Sequence, residues 1–179
     1  MKVKDMTVIA MMIAIIIMLG LIPPVPLGFI PVPIVFQNIG IMLAGIILGA
    51  KRGGFAVVLF LILVAIGMPL LSGGSGGISV FVGPTSGYLM GWLVSTFIIG
   101  YAKHLFIETK NPIFRCLIIW LPGVLFVDIL GSIGLMIVTN MNVTTALISN
   151  LAFLPGDTLK VIFVVTIASR LLKLPLFSR

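Results

Sequence analysis

The chain has only four acidic side chains and one histidine, and two of the four stand where charge is expensive. Asp157 and Lys160 lie in Leu154-Pro155-Gly156-Asp157-Thr158-Leu159-Lys160, at the start of an apolar run. A spacing of three puts both side chains on one helical face, with Asp157 placed to cap the helix. Together they offer an acceptor for N–H groups and a cation for a carboxylate, side by side in a low-dielectric setting. The plainer alternative is a cap plus an intrahelical ion pair with no ligand. Asp128 stands in another apolar run, beside Ser132, and is read as the structural partner of a different helix. A charge at the centre of a membrane helix costs about 2.5–3.5 kcal/mol, so such residues have partners or purposes.

Other chemistry is scarce. No G-x-x-x-x-G-K-[ST] loop occurs, so nothing here binds ATP by that route. With one His, one Cys and four acidic residues, neither a multi-ligand metal site nor a Cys/His nucleophile pair can be assembled, and no catalytic residue is expected. Cys116 sits in an apolar stretch, and His104 and Glu108 belong to a polar, solvated break. The glycine-rich stretch Gly73 to Gly87 has no phosphate-binding lysine, but its bare backbone lets a ligand approach, and Phe81 and Tyr88 add apolar faces.

The elements that must position these groups are membrane helices. Of 179 residues, 60% are apolar and 8% charged, and the mean hydropathy is +1.35. A soluble globule of this size could not hide so much apolar side chain. The fold class expected is an all-α integral membrane protein, one domain over 1–179, built as a bundle of six transmembrane helices. Hydropathy places them near 6–22, 33–49, 55–71, 84–105, 114–138 and 157–172. Pro23 to Val32 and Ser72 to Gly83 have the composition of turns, Lys51 to Gly54 and Lys103 to Pro112 are polar breaks, and Asn140 to Ser149 is an uncharged polar one.

Charge orients the bundle independently. Lys2, Lys4, Lys51, Arg52, Lys103, Lys110, Arg115, Arg170, Lys173 and Arg179 all fall on one side if six spans start in the cytoplasm. Both termini are then cytoplasmic, and Lys160 is the single basic residue left on the outer side. The net charge of +7 is therefore topological rather than a nucleic-acid footprint. Ala10 and Ala14 form a small-x-x-x-small pair that permits close approach of another helix.

Four stretches resemble the biotin-specific S component, BioY, of energy-coupling-factor (ECF) vitamin transporters. They are Pro26 to Asn38 running into Gly40–Gly49; Gly67-Met68-Pro69-Leu70-Leu71-Ser72-Gly73-Gly74 with Gly76-Gly77; Phe81-Val82-Gly83-Pro84-Thr85-Ser86-Gly87-Tyr88-Leu89; and Leu154-Pro155-Gly156-Asp157 with Lys160. The resemblance implies capture of biotin at the outer face of a prokaryotic plasma membrane. It also implies a transmembrane coupling protein (T component) contacted through Ala10 and Ala14, two ATP-binding subunits, and no cofactor. The pocket it implies holds Asp157 and Lys160 with Gln37, Asn38, Gly73, Phe81, Thr85 and Tyr88. Asp157 would accept from the ureido nitrogens and Lys160 would pair with the carboxylate, unless one only holds the other in place. An S component for thiamine or riboflavin, and a membrane enzyme or assembly subunit without a small ligand, are the competing readings.

Overall fold

The structure, a computed structural model, describes residues 3–26, 28 and 32–173, without the side chains of 147 and 149. Lys2 and Arg179, used above for orientation, and Leu27, Phe29, Ile30 and Pro31 of the first resembling stretch lie outside the described residues.

Regular structure among the described residues is helical: α1 Val3–Gly20, α2 Gln37–Ala65, α3 Ser86–Tyr101, α4 Lys103–Glu108, α5 Pro112–Trp120, α6 Phe126–Thr139, α7 Val143–Leu151 and α8 Leu154–Leu171. Two isolated bridges, Val25 with Ile34 and Leu71 with Ser75, pin the loops flanking α2.

α2 covers what hydropathy divides into two helices, and its one non-helical residue explains the division. Gly49 has φ 77° and ψ 174°, a backbone state that side-chain-bearing residues rarely adopt. Nine residues of straight helix would separate Ala44 from Gly53 by about 13.5 Å. Instead, a Cβ built on Gly53 would lie 2.3 Å from the Ala44 carbonyl oxygen. The chain therefore doubles back at Gly49 into two packed arms, residues 37–48 and 50–65. The turn sits a few residues before the polar break Lys51 to Gly54, which forms the first turn of the second arm. Where the first arm ends, Lys103 Nζ donates to the freed Ile47 carbonyl at 2.8 Å, as basic groups commonly do at helix C-termini.

The fifth run is one continuous rod, α5 and α6 joined by a wide turn at Leu121–Leu125 in which the Phe126 N–H reaches back to the Leu121 carbonyl. Pro122 has no N–H to give the regular ladder, which is the local cause. Asn111 caps the start of α5, its Oδ1 accepting from the Ile113 N–H at 2.9 Å.

Two sequence expectations are corrected. The polar stretch Asn140 to Ser149 is largely helix, α7, because α6 ends on a left-handed Asn140, φ 52°, and a new helix starts at Val143. Weak intrinsic propensity of Asn and Thr is overridden there by burial of Ala146 and Asn150. Asp157 is not the cap of the last helix. Pro155 fits the first turn with its preset φ, so α8 starts at Leu154 with Phe153 at the cap position.

α2 packs against α1, α3 and α8, and α3 against α6. The α3–α6 crossing is backbone-close: a Cβ on Gly87 would sit 2.1 Å from the Leu130 carbonyl, and one on Gly131 2.2 Å from the Tyr88 ring. Glycine at both positions is what seats Tyr88 flat against α6. Polarity is inverted relative to a soluble protein. Ile62, Ile98, Ile129, Ile133, Ile162 and Phe163 are exposed, whereas Gln37, Asn38, Asp128, Asn150, Asp157 and Lys160 are buried. Lipid is the solvent that permits this pattern. Among the described residues three helical stretches are long and apolar enough, by length and composition, to cross a membrane: Val3–Gly20, Gln37–Ala65, which the turn at Gly49 divides into its two arms, and Pro112–Thr139.

Candidate functional site

The beginnings of α2, α3 and α8 meet at one end of the bundle, and the α6 part of the long rod runs beside them. Between them lies a cavity whose walls include Val35, Leu71, Leu89, Trp92, Val127 and Phe153. Its polar lining is Gln37, Asn38, Ser72, Ser75, Thr85, Tyr88, Asp128, Asp157 and Lys160. A mostly apolar hollow with a few converging polar groups is the usual form of a small-molecule site.

At its base Lys160 Nζ donates to Asp157 Oδ1 at 2.6 Å, with the two side chains only 7% and 11% exposed. The spacing of three does bring the pair together, as helical geometry requires. Lys160 also donates to the Val35 carbonyl at 2.7 Å and stands 5.6 Å above the Phe36 ring. Asp157 Oδ1 accepts a second bond, from Asn38 Nδ2 at 3.1 Å. The last helix is thus tied to both the strand-like entry and the first turn of α2, and the cation reaches the cavity already neutralised by its partner.

Gln37 lines the cavity with both ends of its amide taken. Its Nε2 donates to the carbonyls of Ile16, at 3.3 Å, and Leu70, at 2.9 Å. Its Oε1 accepts from the Ser72 N–H at 2.9 Å and hydroxyl at 3.2 Å. One fully buried side chain therefore fastens the glycine-rich loop to α1.

Tyr88 turns the opposite wall. Its hydroxyl donates to Asn150 Oδ1 at 2.7 Å, and its ring meets Phe153 edge-on with centroids 6.2 Å apart. Asn150 Nδ2 in turn donates to the Asp128 carbonyl and to Ser132 Oγ. A structural partner for Asp128 does come from another helix, yet Asn150 holds its backbone and not its carboxylate.

Six of the eight residues expected at the site, Gln37, Asn38, Thr85, Tyr88, Asp157 and Lys160, line this cavity. Gly73 lines a neighbouring hollow against α1 and Pro24 instead, and Phe81 packs on the core without facing the cavity. Asp128 and the aromatic wall of Trp92 and Phe153 were not anticipated. Aromatic residues in an apolar run carry no signal of which helical face they occupy. Ala10 and Ala14 lie on the exposed face of α1. Among the described residues no three His, Cys, Asp or Glu side chains are grouped to hold a metal ion.

A family model described as the BioY family matches residues 1–175. The chain belongs to the BioY family. A protein named biotin transporter BioY from Lactococcus lactis subsp. cremoris is 49% identical over 174 residues, covering 96% of this chain and 92% of the relative. A BioY protein of the same name from Rhizobium etli is 41% identical over 167 residues, covering 90% and 89%. A crystal structure described as the S-component for biotin from an ECF-type ABC transporter superposes with a TM-score of 0.94 at 48% identity. It covers 98% of this chain and 94% of its own. These BioY relatives are named as transporters, and none as an enzyme.

Proposed function

We propose that this chain captures biotin at the outer face of a prokaryotic plasma membrane as the substrate-binding S component of an ATP-driven vitamin uptake transporter. The observation that carries the reading is the buried Asp157–Lys160–Asn38 cluster in the wall of a mostly apolar cavity. Biotin is complementary to it, with ureido N–H groups and a carbonyl at one end, an apolar thioether ring, and a carboxylated chain. Two of the three Lys160 hydrogens are held by Asp157 and Val35, and the third serves an oxygen of the ligand. Trp92, Phe153 and Leu89 enclose the ring. Gln37, Gly73, Phe81 and Thr85 shape the loop that borders the cavity, while Asn38, Tyr88, Asp157 and Lys160 face the ligand.

Six spans are supported by α1, the two arms of α2, α3, the α5–α6 rod and α8, with 1–179 as one membrane domain and both termini cytoplasmic. The cavity then opens outward, at the end opposite Lys51, Arg52 and Lys103. Ala10 and Ala14 present a smooth strip on α1 for a transmembrane coupling protein, which joins the chain to two ATP-binding subunits. Energised uptake is assigned to that assembly, and capture to this chain.

Binding to the purified protein in detergent is the test. Biotin is expected to bind, thiamine and riboflavin are not, and Asp157→Asn with Lys160→Ala together is expected to abolish biotin binding. Unchanged affinity in that double variant would sink the site assignment. Ala10→Trp with Ala14→Trp is expected to stop energised uptake and leave binding intact.

A further inference from the structure

Among the described residues, two buried side-chain polar atoms have no hydrogen-bond partner: Oδ1 of Asn38 and Oδ2 of Asp128. Both residues line the same cavity, and both are more than nine-tenths buried, at 7% and 6% exposure. An unmatched buried polar group is destabilising, and native proteins keep few of them. Two acceptors left open around one hollow point to a ligand that brings two donors.

The orientation of Asn38 follows from its neighbour. The Asp157 carboxylate, paired with Lys160, only accepts, so the Asn38 NH₂ group faces Asp157 and Oδ1 is the atom turned free. Asp128 stands on a different wall, in the first turn of α6. Its position is fixed from behind by the Asn150 bond to its carbonyl and by the close α3–α6 crossing.

We propose that Asn38 Oδ1 and Asp128 Oδ2 are paired acceptors for the two N–H groups of a cyclic urea, which makes Asp128 a specificity-determining residue. The assignment rests on the biotin reading and deepens it. A ring urea carries two N–H donors flanking one carbonyl, so one group brings the two donors that these two acceptors lack. A ring with one N–H between two carbonyls, as in riboflavin, leaves an acceptor unmatched and sets a carbonyl against it. Rejection by an unpaired buried polar group is stronger than rejection by shape alone.

The test uses wild-type protein in detergent, biotin, and two isosteric carbamate analogues in which one or the other ureido NH is replaced by oxygen. Biotin binding by the wild type is measured first, and its absence would sink the biotin reading without touching any variant. Given that binding, the carbamate that lacks the donor for Asp128 is expected to bind wild type about ten- to a hundredfold more weakly than biotin, the range of one hydrogen bond to a charged group, and the one that lacks the donor for Asn38 about three- to tenfold more weakly, the range of a neutral one. Asp128→Leu is expected to weaken biotin by the first of these factors. It should leave one carbamate within about threefold of its wild-type affinity and still weaken the other, since only one analogue lacks the donor that Asp128 accepts. If Asp128→Leu does not fold, as read by its melting curve, Asp128→Val, which also lacks any acceptor, replaces it under the same criterion. The proposal is overturned if wild type binds both carbamates as tightly as biotin. It is equally overturned if the substitution weakens biotin and both carbamates by one common factor, since that is the mark of a merely structural residue.

Discussion

Lys160→Met isolates what the buried ion pair contributes. At 2.6 Å and an effective dielectric of about 20, the attraction between the two charges is about 6 kcal/mol. Moving each ion out of water costs several kcal/mol, so the intact pair is worth little net. Removal of one partner is different. It leaves Asp157 as a buried carboxylate held only by Asn38, and such losses run to about 3–5 kcal/mol. For a chain of this length, each kcal/mol moves the unfolding midpoint by about 2–4 °C, so a fall of about 6–20 °C is expected in detergent. Asp157→Asn alone is expected to fall by a comparable amount, because Lys160 keeps only the Val35 carbonyl. The double variant Asp157→Asn, Lys160→Met buries no charge and is expected to recover most of the loss. Thermal unfolding of the four proteins forms the cycle. Additive losses, or a Lys160→Met midpoint within about 2 °C of wild type, would refute the reasoning.

Gln37→Leu removes four hydrogen bonds and takes their partner from the Leu70 carbonyl and the Ser72 N–H, a loss of about 2–4 kcal/mol at about 1 kcal/mol per net bond. Its signature is faster proteolysis within residues 66–77, and an unchanged cleavage rate would contradict the staple described for Gln37. Tyr88→Phe strips Asn150 Oδ1 of its donor and is expected to destabilise by about 1–3 kcal/mol, read as earlier hydrogen exchange in α7 than in α8. Gly100→Ala would place a Cβ 2.2 Å from the Ala50 nitrogen and force α3 off the turn of α2, at a cost of about 1–3 kcal/mol. A midpoint equal to wild type would show that the two elements are not packed there.

Apolar length made the membrane rods legible, because lipid demands unbroken helix and tolerates few charges. The Asp157–Lys160 contact was legible too, since a spacing of three on a helix is itself a distance. What escaped depends on long-range contact or on single dihedral angles. Two helices with a break between them were legible on either side of this point, but that one φ value at Gly49 makes the reversal was not, because that glycine gives no more warning than the many others. Asn150 directly follows the polar stretch 140–149 that reads as a break, and its anchoring role exists only once Tyr88 and Asp128 are beside it. Gln37 was placed at the site by resemblance, and the structure keeps it at the cavity wall while showing its amide fully engaged elsewhere. Gly73 and Phe81 share a loop with cavity residues, but neighbours in sequence on a tight turn face different hollows.

The wide turn at Leu121–Leu125 sets which residues of the long rod look inward. In an uninterrupted helix, residues eleven apart share a face, since three turns take about eleven residues. Here Ile118 is buried at 9% exposure while Ile129, eleven residues on, is exposed at 46%. The extra residue held in the wide turn rotates everything after it by about 100°. A change of one residue in length, with no substitution anywhere, would therefore exchange a lipid-facing side chain for Asp128 at the cavity wall. For the history of this helix, insertion and deletion are events of recruitment, and an alignment that slips by one residue here compares lipid-facing positions with cavity-facing ones.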